Sequence, residues 1–504
     1  MGRVRLALLM LWLPAVSGSV AAQTLVPVGA PQLVVPFENT THDPRGYWLA
    51  EGSAVLLTDD LIALGAQAIR REDRLTAFDR LHVPPIASLS HATVIRLGQV
   101  VGAAQVVIGS FELKDEQVTV HARAIRLDNG RLFPDIAESG PLSDLFAIFG
   151  RVAKRLLPDS RVTTEQMERD HPTLPAFEQY IKGVLAENPA TQVSFLSQAI
   201  QLAPGFQRPR LALWQVHTDQ GEHAQALAIV RGVPANHPQS RSAQFLAAVS
   251  LISLGQYQQA FDTLTLLNNA RTDAALLNNL GITQLRRTAT ATGSRATTYL
   301  REATQADPND PDLFFNLGYA AWFERDTPAA VAALREAVRR NPADDAAHYA
   351  LGVALQSTGS SAEGAREKEL AKQLSSTHAE WEAKQPNGNS IPRGWERIKM
   401  AVDVTLRLED VIVAAGQRDQ RELAQFHLEA GRRLAQAERD VEAIAELRRA
   451  VYLAPYDSQA HLLLGRIYFR SGRAADAINS LKIAIWADPN NAEAKQLLAQ
   501  ITPP

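Results

Sequence analysis

Residues 458–491 read SQAHLLLGRIYFRSGRAADAINSLKIAIWADPNN, and within them Leu464-Gly465, Tyr468, Ala477, Leu481, Ala484 and Pro489 fall in order. The unit before it, 424–457, places Gly431, Leu434, Ala443, Leu447, Ala450 and Pro455 at the same offsets. A third, 311–344, supplies Leu317-Gly318, Ala330, Leu334, Ala337 and Pro342. Pro204 and Pro238, Pro308 and Pro342, and Pro455 and Pro489 are each 34 residues apart. A fixed period of this length marks a stack of supersecondary units, each too small to bury its own apolar face. Gly and Ala let packed helices approach closely, while Leu and aromatic residues fill the space between packed elements. Proline ends a helix, because its ring clashes with the preceding turn.

Working outward, weaker units occupy 207–240, 241–274, 275–310 and 345–378. The 275–310 unit carries three extra residues near Thr290 to Ser294. A first unit near 173–206 is about three residues short between Gly183 and Ala199, as suits a capping unit. These positions resemble the tetratricopeptide repeat (TPR) family over roughly 173–378 and 424–491, eight units at most. Residues 379–423 break the period, with a Pro/Gly/Asn-rich start (Gln385 to Gly394) and then an apolar run through Val402, Val404, Leu406, Leu408, Val411 and Ile412. This stretch reads either as a packed insertion or as a hinge between a six-unit block (158–378) and a two-unit block (424–491), and the hinge is preferred. A tail, 492–504, follows.

The amino-terminal part has a different grain. Leu33 to Phe37 reads as a short strand and Trp48 to Gly65 as a helix ending at Gly. Val106 to Phe111 and Val118 to Leu127 read as paired strands joined at Lys114-Asp115-Glu116, followed by the turn signal Asp128-Asn129-Gly130. Leu142 to Leu157 closes a compact α/β domain as a helix. The fold expected is therefore an α/β amino-terminal domain (23–157) followed by an all-α TPR solenoid, a superhelix of antiparallel helix pairs. The strings VVPFENTTHDPRGYWLAEGSAVLLTDDL, AAQVVIGSFEL, VTVHARAIRLDNGRL and SDLFAIFGRVAKRLL resemble the TolB amino-terminal and CsgG group of envelope domains. That resemblance implies assembly with envelope proteins, or self-association, rather than catalysis. The chain departs from pore-forming members of the group in having no lipid-attachment Cys and no evident long amphipathic hairpin.

Residues 1–22 read as a secretory signal: Arg3 and Arg5, an apolar run from Leu6 to Val16, then Val20-Ala21-Ala22 as a small-residue cleavage site. The run is too short to span a bilayer, which takes about 20 residues. Cleavage before Gln23 removes Arg3 and Arg5, taking the formal charge from −3 to −5 (Lys+Arg 51 − 2 = 49 against 54 acids). Export to the periplasm or an outer-membrane-associated site is expected, with no transmembrane span elsewhere. The near balance of charge and the lack of a basic stripe with aromatics argue against nucleic acid as a partner. The chain has no cysteine, which removes disulfides and thiolate chemistry.

No phosphate loop, dinucleotide fingerprint, zinc-protease motif or nucleophile elbow occurs, so no catalytic residue, cofactor or metal is assigned. Glu38 with His42-Asp43 is the tightest titratable cluster and reads as a turn and helix cap. His348, His427 and His461 share the fourth position of their repeats and read as helix-packing or partly exposed imidazoles.

The TPR resemblance implies that the first helix of each unit lines a concave face. Carried over, it offers Phe245, Asn278, Asn279, Phe315, Asn316, Tyr319, Trp322, Phe323 and Tyr349, with Trp322 or Phe323 alternatively core between helices. Asn side chains can both donate to and accept from a bound peptide backbone. Asn279 and Asn316 hold the same repeat position, as in the asparagine ladders of some superhelical members. Arg432, Arg466 and Arg470 fall on groove positions that would suit an acidic tail or a terminal carboxylate, or a plain solvated face. The expected function is a non-enzymatic envelope scaffold gripping proteins or extended peptides. Alternatives are an export or outer-membrane assembly component whose amino-terminal domain oligomerises, and an accessory to a separate catalytic chain.

Overall fold

The computed structural model describes residues 30–41, 43–84, 89–163, 171–287, 295–375, 377–378, 390–402, 408–454 and 457–502. The signal segment, His42, Pro455 and residues 288–294 lie outside the described residues. The chain divides into two compact units, residues 1–71 with 103–171 and residues 72–102 with 172–504.

The first unit is built on a five-stranded mixed sheet. Strands β1 (Gln32–Val34) and β2 (Glu38–Asn39) both pair in parallel with β3 (Gln105–Lys114), at successive places along it. Strand β3 pairs antiparallel with β4 (Gln117–Arg126), and β4 with β5 (Ile136–Pro141). The β3–β4 connection is a two-residue turn in which Asp115 (φ 50°) and Glu116 (φ 62°) both take the left-handed conformation that matches strand twist. Along β4, Val118, Val120, Ala122 and Ala124 are buried while His121 and Arg123 face out, the period of two that one covered face demands. Helices α1 (Tyr47–Ala63) and α4 (Leu145–Leu156) pack on each other and on the sheet, with the Phe37 and Phe149 rings 5.9 Å apart. Helices α2 (Arg71–Arg80) and α3 (His91–Val100) lie between α1 and β3 in sequence.

The second unit is an all-α solenoid of helix pairs. In chain order they are α5–α6 (Leu174–Leu185, Pro189–Leu202), α7–α8 (Arg208–Asp219, His223–Arg231), α9–α10 (Ser240–Ser253, Tyr257–Ala270) and α11–α12 (Ala274–Arg286, Ala296–Ala306). Next come α13–α14 (Pro311–Phe323, Thr327–Arg340) and α15–α16 (Asp345–Ser357, Ser361–Leu374). Beyond 390–402 are α17–α18 (Leu408–Gln436, Asp440–Leu453), α19–α20 (Ser458–Arg470, Ala474–Ala487) and a last helix, α21 (Ala492–Ile501).

One contact closes most pairs. A Cβ on Gly318 would meet Leu334 Cγ at 2.6 Å, one on Gly431 would meet Leu447 at 2.6 Å, and one on Gly465 would meet Leu481 at 2.7 Å. Each Gly precedes its Leu by 16 positions. The same contact joins Gly281 to Leu300, 19 positions on, and Gly183 to Leu196, 13 positions on. The seam contact is thus kept although the spacing from Gly to Leu is three residues longer in one pair and three shorter in the other. Helix starts are fixed by carboxylates: Asp310, Asp344 and Asp457 each accept a backbone N–H of the following first turn.

Candidate polypeptide-binding groove

The first helices of the fourth, fifth and sixth pairs, α11, α13 and α15, share one face, and that face is occupied. Residues 390–402 lie along it without regular secondary structure. Gly394 (φ +89°) turns the segment after Pro392, and residues 395–400 then run towards the earlier repeats. Over this stretch the sequence expected as hinge or insertion is packed, because the solenoid's side chains satisfy its backbone.

Backbone polar groups removed from water need partners. Those of Arg397 and Lys399 find them on two asparagines. The Arg397 N–H donates to Asn316 Oδ1 (2.8 Å), and Asn316 Nδ2 donates back to the Arg397 carbonyl (2.8 Å). The Lys399 N–H donates to Asn279 Oδ1 (2.9 Å), and Asn279 Nδ2 donates to the Lys399 carbonyl (2.9 Å). Asn278 braces both rungs: its Nδ2 reaches the Arg397 carbonyl (2.9 Å) and Asn279 Oδ1 (3.1 Å), and its Oδ1 accepts from Asn316 Nδ2 (2.7 Å). Further along, the Tyr319 hydroxyl donates to the Pro392 carbonyl (3.0 Å) and accepts from the Gly394 N–H (3.1 Å). Burial, with the nearby Glu396 carboxylate, pushes the Tyr319 phenol up to about 12, so it remains a neutral donor at physiological pH.

The segment's alternate side chains enter separate pockets. The Arg397 guanidinium forks onto Asp344 (2.6 Å to each oxygen), reaches Asp312 (2.8 Å) and lies 3.8 Å above the Phe315 ring. The Lys399 ammonium sits between Asp310 (2.8 Å) and Asp312 (2.7 Å). The Trp395 ring meets Tyr349 (5.8 Å) and His378 (5.7 Å), and Arg393 covers Phe323 (4.2 Å). From the other edge Glu396 pairs with Arg286 (3.1 Å), and Ile391, Ile398 and Val402 pack into the solenoid's apolar clusters. Burial acts to raise the Asp312 carboxyl, but Lys399 and Arg397 outweigh it and hold the group below its ordinary range. Burial likewise opposes the charges on Arg397 and Lys399, and their carboxylate partners hold both above their ordinary values.

Of the residues expected to line the groove, Asn278, Asn279, Phe315, Asn316, Tyr319, Phe323 and Tyr349 converge on this segment. Trp322 is partly buried and packs against the cluster containing Phe315 and Leu334. Phe245 is fully buried in the cluster with Trp214 and Leu264, against which Ile398 and Val402 also pack. The three arginines do not converge: Arg432 pairs with Glu429 (2.9 Å), Arg466 with Glu493 (3.1 Å) and Arg470 with Asp440 (Nε, 2.8 Å).

The repeat histidines also stay apart. His348 Nδ1 meets Glu367 (2.6 Å) and His427 Nδ1 meets Glu446 (2.6 Å), each bridging from first to second helix. Asp43 caps the turn at Pro44–Gly46 through the Arg45 N–H (2.8 Å). Among the described residues no group of three His, Asp or Glu could hold a metal ion, and no helix is long and apolar enough to cross a membrane. Sequence reasoning missed Asp310, Asp312, Asp344 and the occupying segment itself. The recurrence of Asp at 310 and 344, 34 residues apart, was the available signal.

One sequence model of the tetratricopeptide repeat matches residues 185–249 and 434–501 and a second matches 315–373, so the helix pairs in those stretches are tetratricopeptide repeats. Among solved structures the chain is similar to YrrB, described as a TPR protein with an unusual peptide-binding site, at 18% identity over 36% of this chain and 94% of YrrB (TM-score 0.29). It is also similar to MamA from Desulfovibrio magneticus RS-1, at 18% identity over 33% of this chain and 94% of that one (TM-score 0.29). It is similar, too, to the LpoB carboxyl-terminal domain from Salmonella enterica, at 18% identity over 23% of this chain and 85% of that one (TM-score 0.20). A search of curated proteins returned no match.

Proposed function

We propose that the protein is a non-catalytic scaffold of the bacterial envelope that grips extended polypeptide segments in the groove formed by α11, α13 and α15. The observation that carries the reading is the pair of reciprocal rungs from Asn279 and Asn316 to the backbone of an extended segment two residues apart. Such pairing recognises main chain, so it suits a polypeptide ligand and no small metabolite. The signal-like residues 1–22 support export, and the resemblance of the first unit to TolB amino-terminal and CsgG domains supports an envelope setting with a docking or self-associating role.

The test is capture from envelope extract on the immobilised protein, wild type against Asn279→Ala with Asn316→Ala, with bound proteins identified by mass spectrometry. A partner retained by the wild type and lost by a folded variant supports the reading. Equal recovery by both removes the groove from the account, and recovery of only the protein itself turns the proposal towards an assembly component.

A further inference from the structure

We propose that residues 391–399 are an exchangeable resident of the groove, displaced by a partner whose extended segment carries Arg and Lys two residues apart with an aromatic residue two before the Arg. The proposal rests on the groove reading above and names the ligand class.

Three features of the contact lead to it. First, the ladder is blind to sequence: towards the segment, the hydrogen bonds of Asn279 and Asn316 go to the N–H and C=O of Lys399 and Arg397, so any extended chain in this register satisfies them. Occupancy is therefore decided by the side-chain pockets. Second, those pockets demand cations. Asp310, Asp312 and Asp344 converge on two positive groups, and Asp310 and Asp344 are 7% and 6% exposed. Both also cap helices, which fixes them in place. An occupant with no cations would leave like charges facing one another away from water, whereas an Arg fork over Phe315 and an ammonium between Asp310 and Asp312 restore the present arrangement. Trp395 against Tyr349 and His378 sets the third requirement.

Third, the resident belongs to the same chain. A tethered segment competes at an effective concentration of about millimolar. A free peptide of the same sequence is then excluded, and a true partner must add contacts or find the resident already unseated. The groove is closed at rest and opened by exchange.

The experiment titrates a fluorescein-labelled synthetic peptide of residues 389–402 against the full chain, read by anisotropy. The wild type is compared with Arg397→Glu plus Lys399→Glu, and with a second variant in which residues 391–399 are replaced by Gly and Ser at equal length. Both variants are expected to bind the peptide roughly 100-fold more tightly than the wild type, the advantage that tethering gives the resident. A peptide carrying the same two Glu substitutions is expected to bind neither.

Absence of binding to both variants, with helicity retained, overturns exchange and makes the segment a fixed staple. Equal binding by wild type and variants places the peptide elsewhere and also overturns it. A wild-type dimer in light scattering whose copies trade residues 391–399 would refute residence within one chain. Failure of the peptide beside a capture sensitive to Asn279 and Asn316 would spare the scaffold reading. Success of the peptide with no capture would do the reverse.

Discussion

The six-pair block and the two-pair block are built on the same seam and differ on the face beside it. Gly318 against Leu334 in the first block is matched by Gly431 against Leu447 and Gly465 against Leu481 in the second, and the Asp344 cap is matched by Asp457. Two residues before the seam glycine, however, the first block carries Asn279 and Asn316 where the second carries Glu429 and Leu463. One residue after it, Tyr319 is replaced by Arg432 and Arg466, and five after it Phe323 is replaced by Arg470. In the first block Asn279, Asn316 and Tyr319 hold a polypeptide backbone and Phe323 takes the Arg393 side chain. In the second, Glu429, Arg432, Arg466 and Arg470 form ion pairs within the solenoid. The comparison separates residues that make a repeat from residues that make a site.

The sharpest way to break this division is at the two kinds of arginine. Arg397→Met leaves Asp344 and Asp312 without their guanidinium in a largely buried place, and a cost of about 3 kcal/mol, the whole of a roughly 100-fold preference for the seated segment, is expected in urea unfolding followed by circular dichroism. A loss below about 1 kcal/mol would mean the segment is held loosely. The seam should respond alike in both blocks: Leu334→Ala and Leu481→Ala each remove a fully buried side chain and should each cost about 2–5 kcal/mol. A large disparity between them would contradict a common seam.

Titration should act on the first block's groove at both ends of the pH range. Asp312 is held below its ordinary value of 3.8, so its contribution is complete above that pH and is lost as pH falls through the lower folded value. Lys399 is held above 10.5, so its contribution is complete below that pH and is lost as pH rises through the higher folded value. The stability lost on Asp312→Asn or Lys399→Met, measured by urea unfolding, should therefore stay constant between about pH 4 and 10 and shrink outside that window. The smallest effect belongs to the second block. Arg466, 56% exposed beside an equally exposed Glu493, should cost no more than about 1 kcal/mol on replacement by Met.

The repeats were legible because packing geometry returns the same residue types at the same spacing. Gly, Leu, Ala and Pro marked the pairs even where a turn gained or lost three residues. Asn279 and Asn316 were legible as a ladder for the same reason: they recur two before the seam glycine. Their occupant was not legible. Its backbone is held through main-chain atoms, which leave no residue signature, and its partners stand far off in the chain, Asn279 and Lys399 being 120 positions apart. Asp310 and Asp344 were hidden by serving also as helix caps, a role that accounts for Asp at those places without any ligand. Phe245 shows that groove floor and inter-helix core adjoin on a first helix, since Ile398 and Val402 pack on the cluster that buries it. Ahead of the solenoid repeats, α2, α3 and β5 escaped notice, both helices being short and α2 densely charged, and β5 an edge strand with Gly140 and Pro141 in it.

The measurement that tests the central claim most directly is residue-resolved amide hydrogen exchange across 391–402 in the wild-type chain. If Asn316 and Asn279 hold the segment, the Arg397 and Lys399 amides exchange far more slowly than an unstructured chain would, and they lose that protection when both asparagines become Ala. Exchange at unstructured rates in the wild type at both positions would show that the groove is not occupied in solution and would contradict the account.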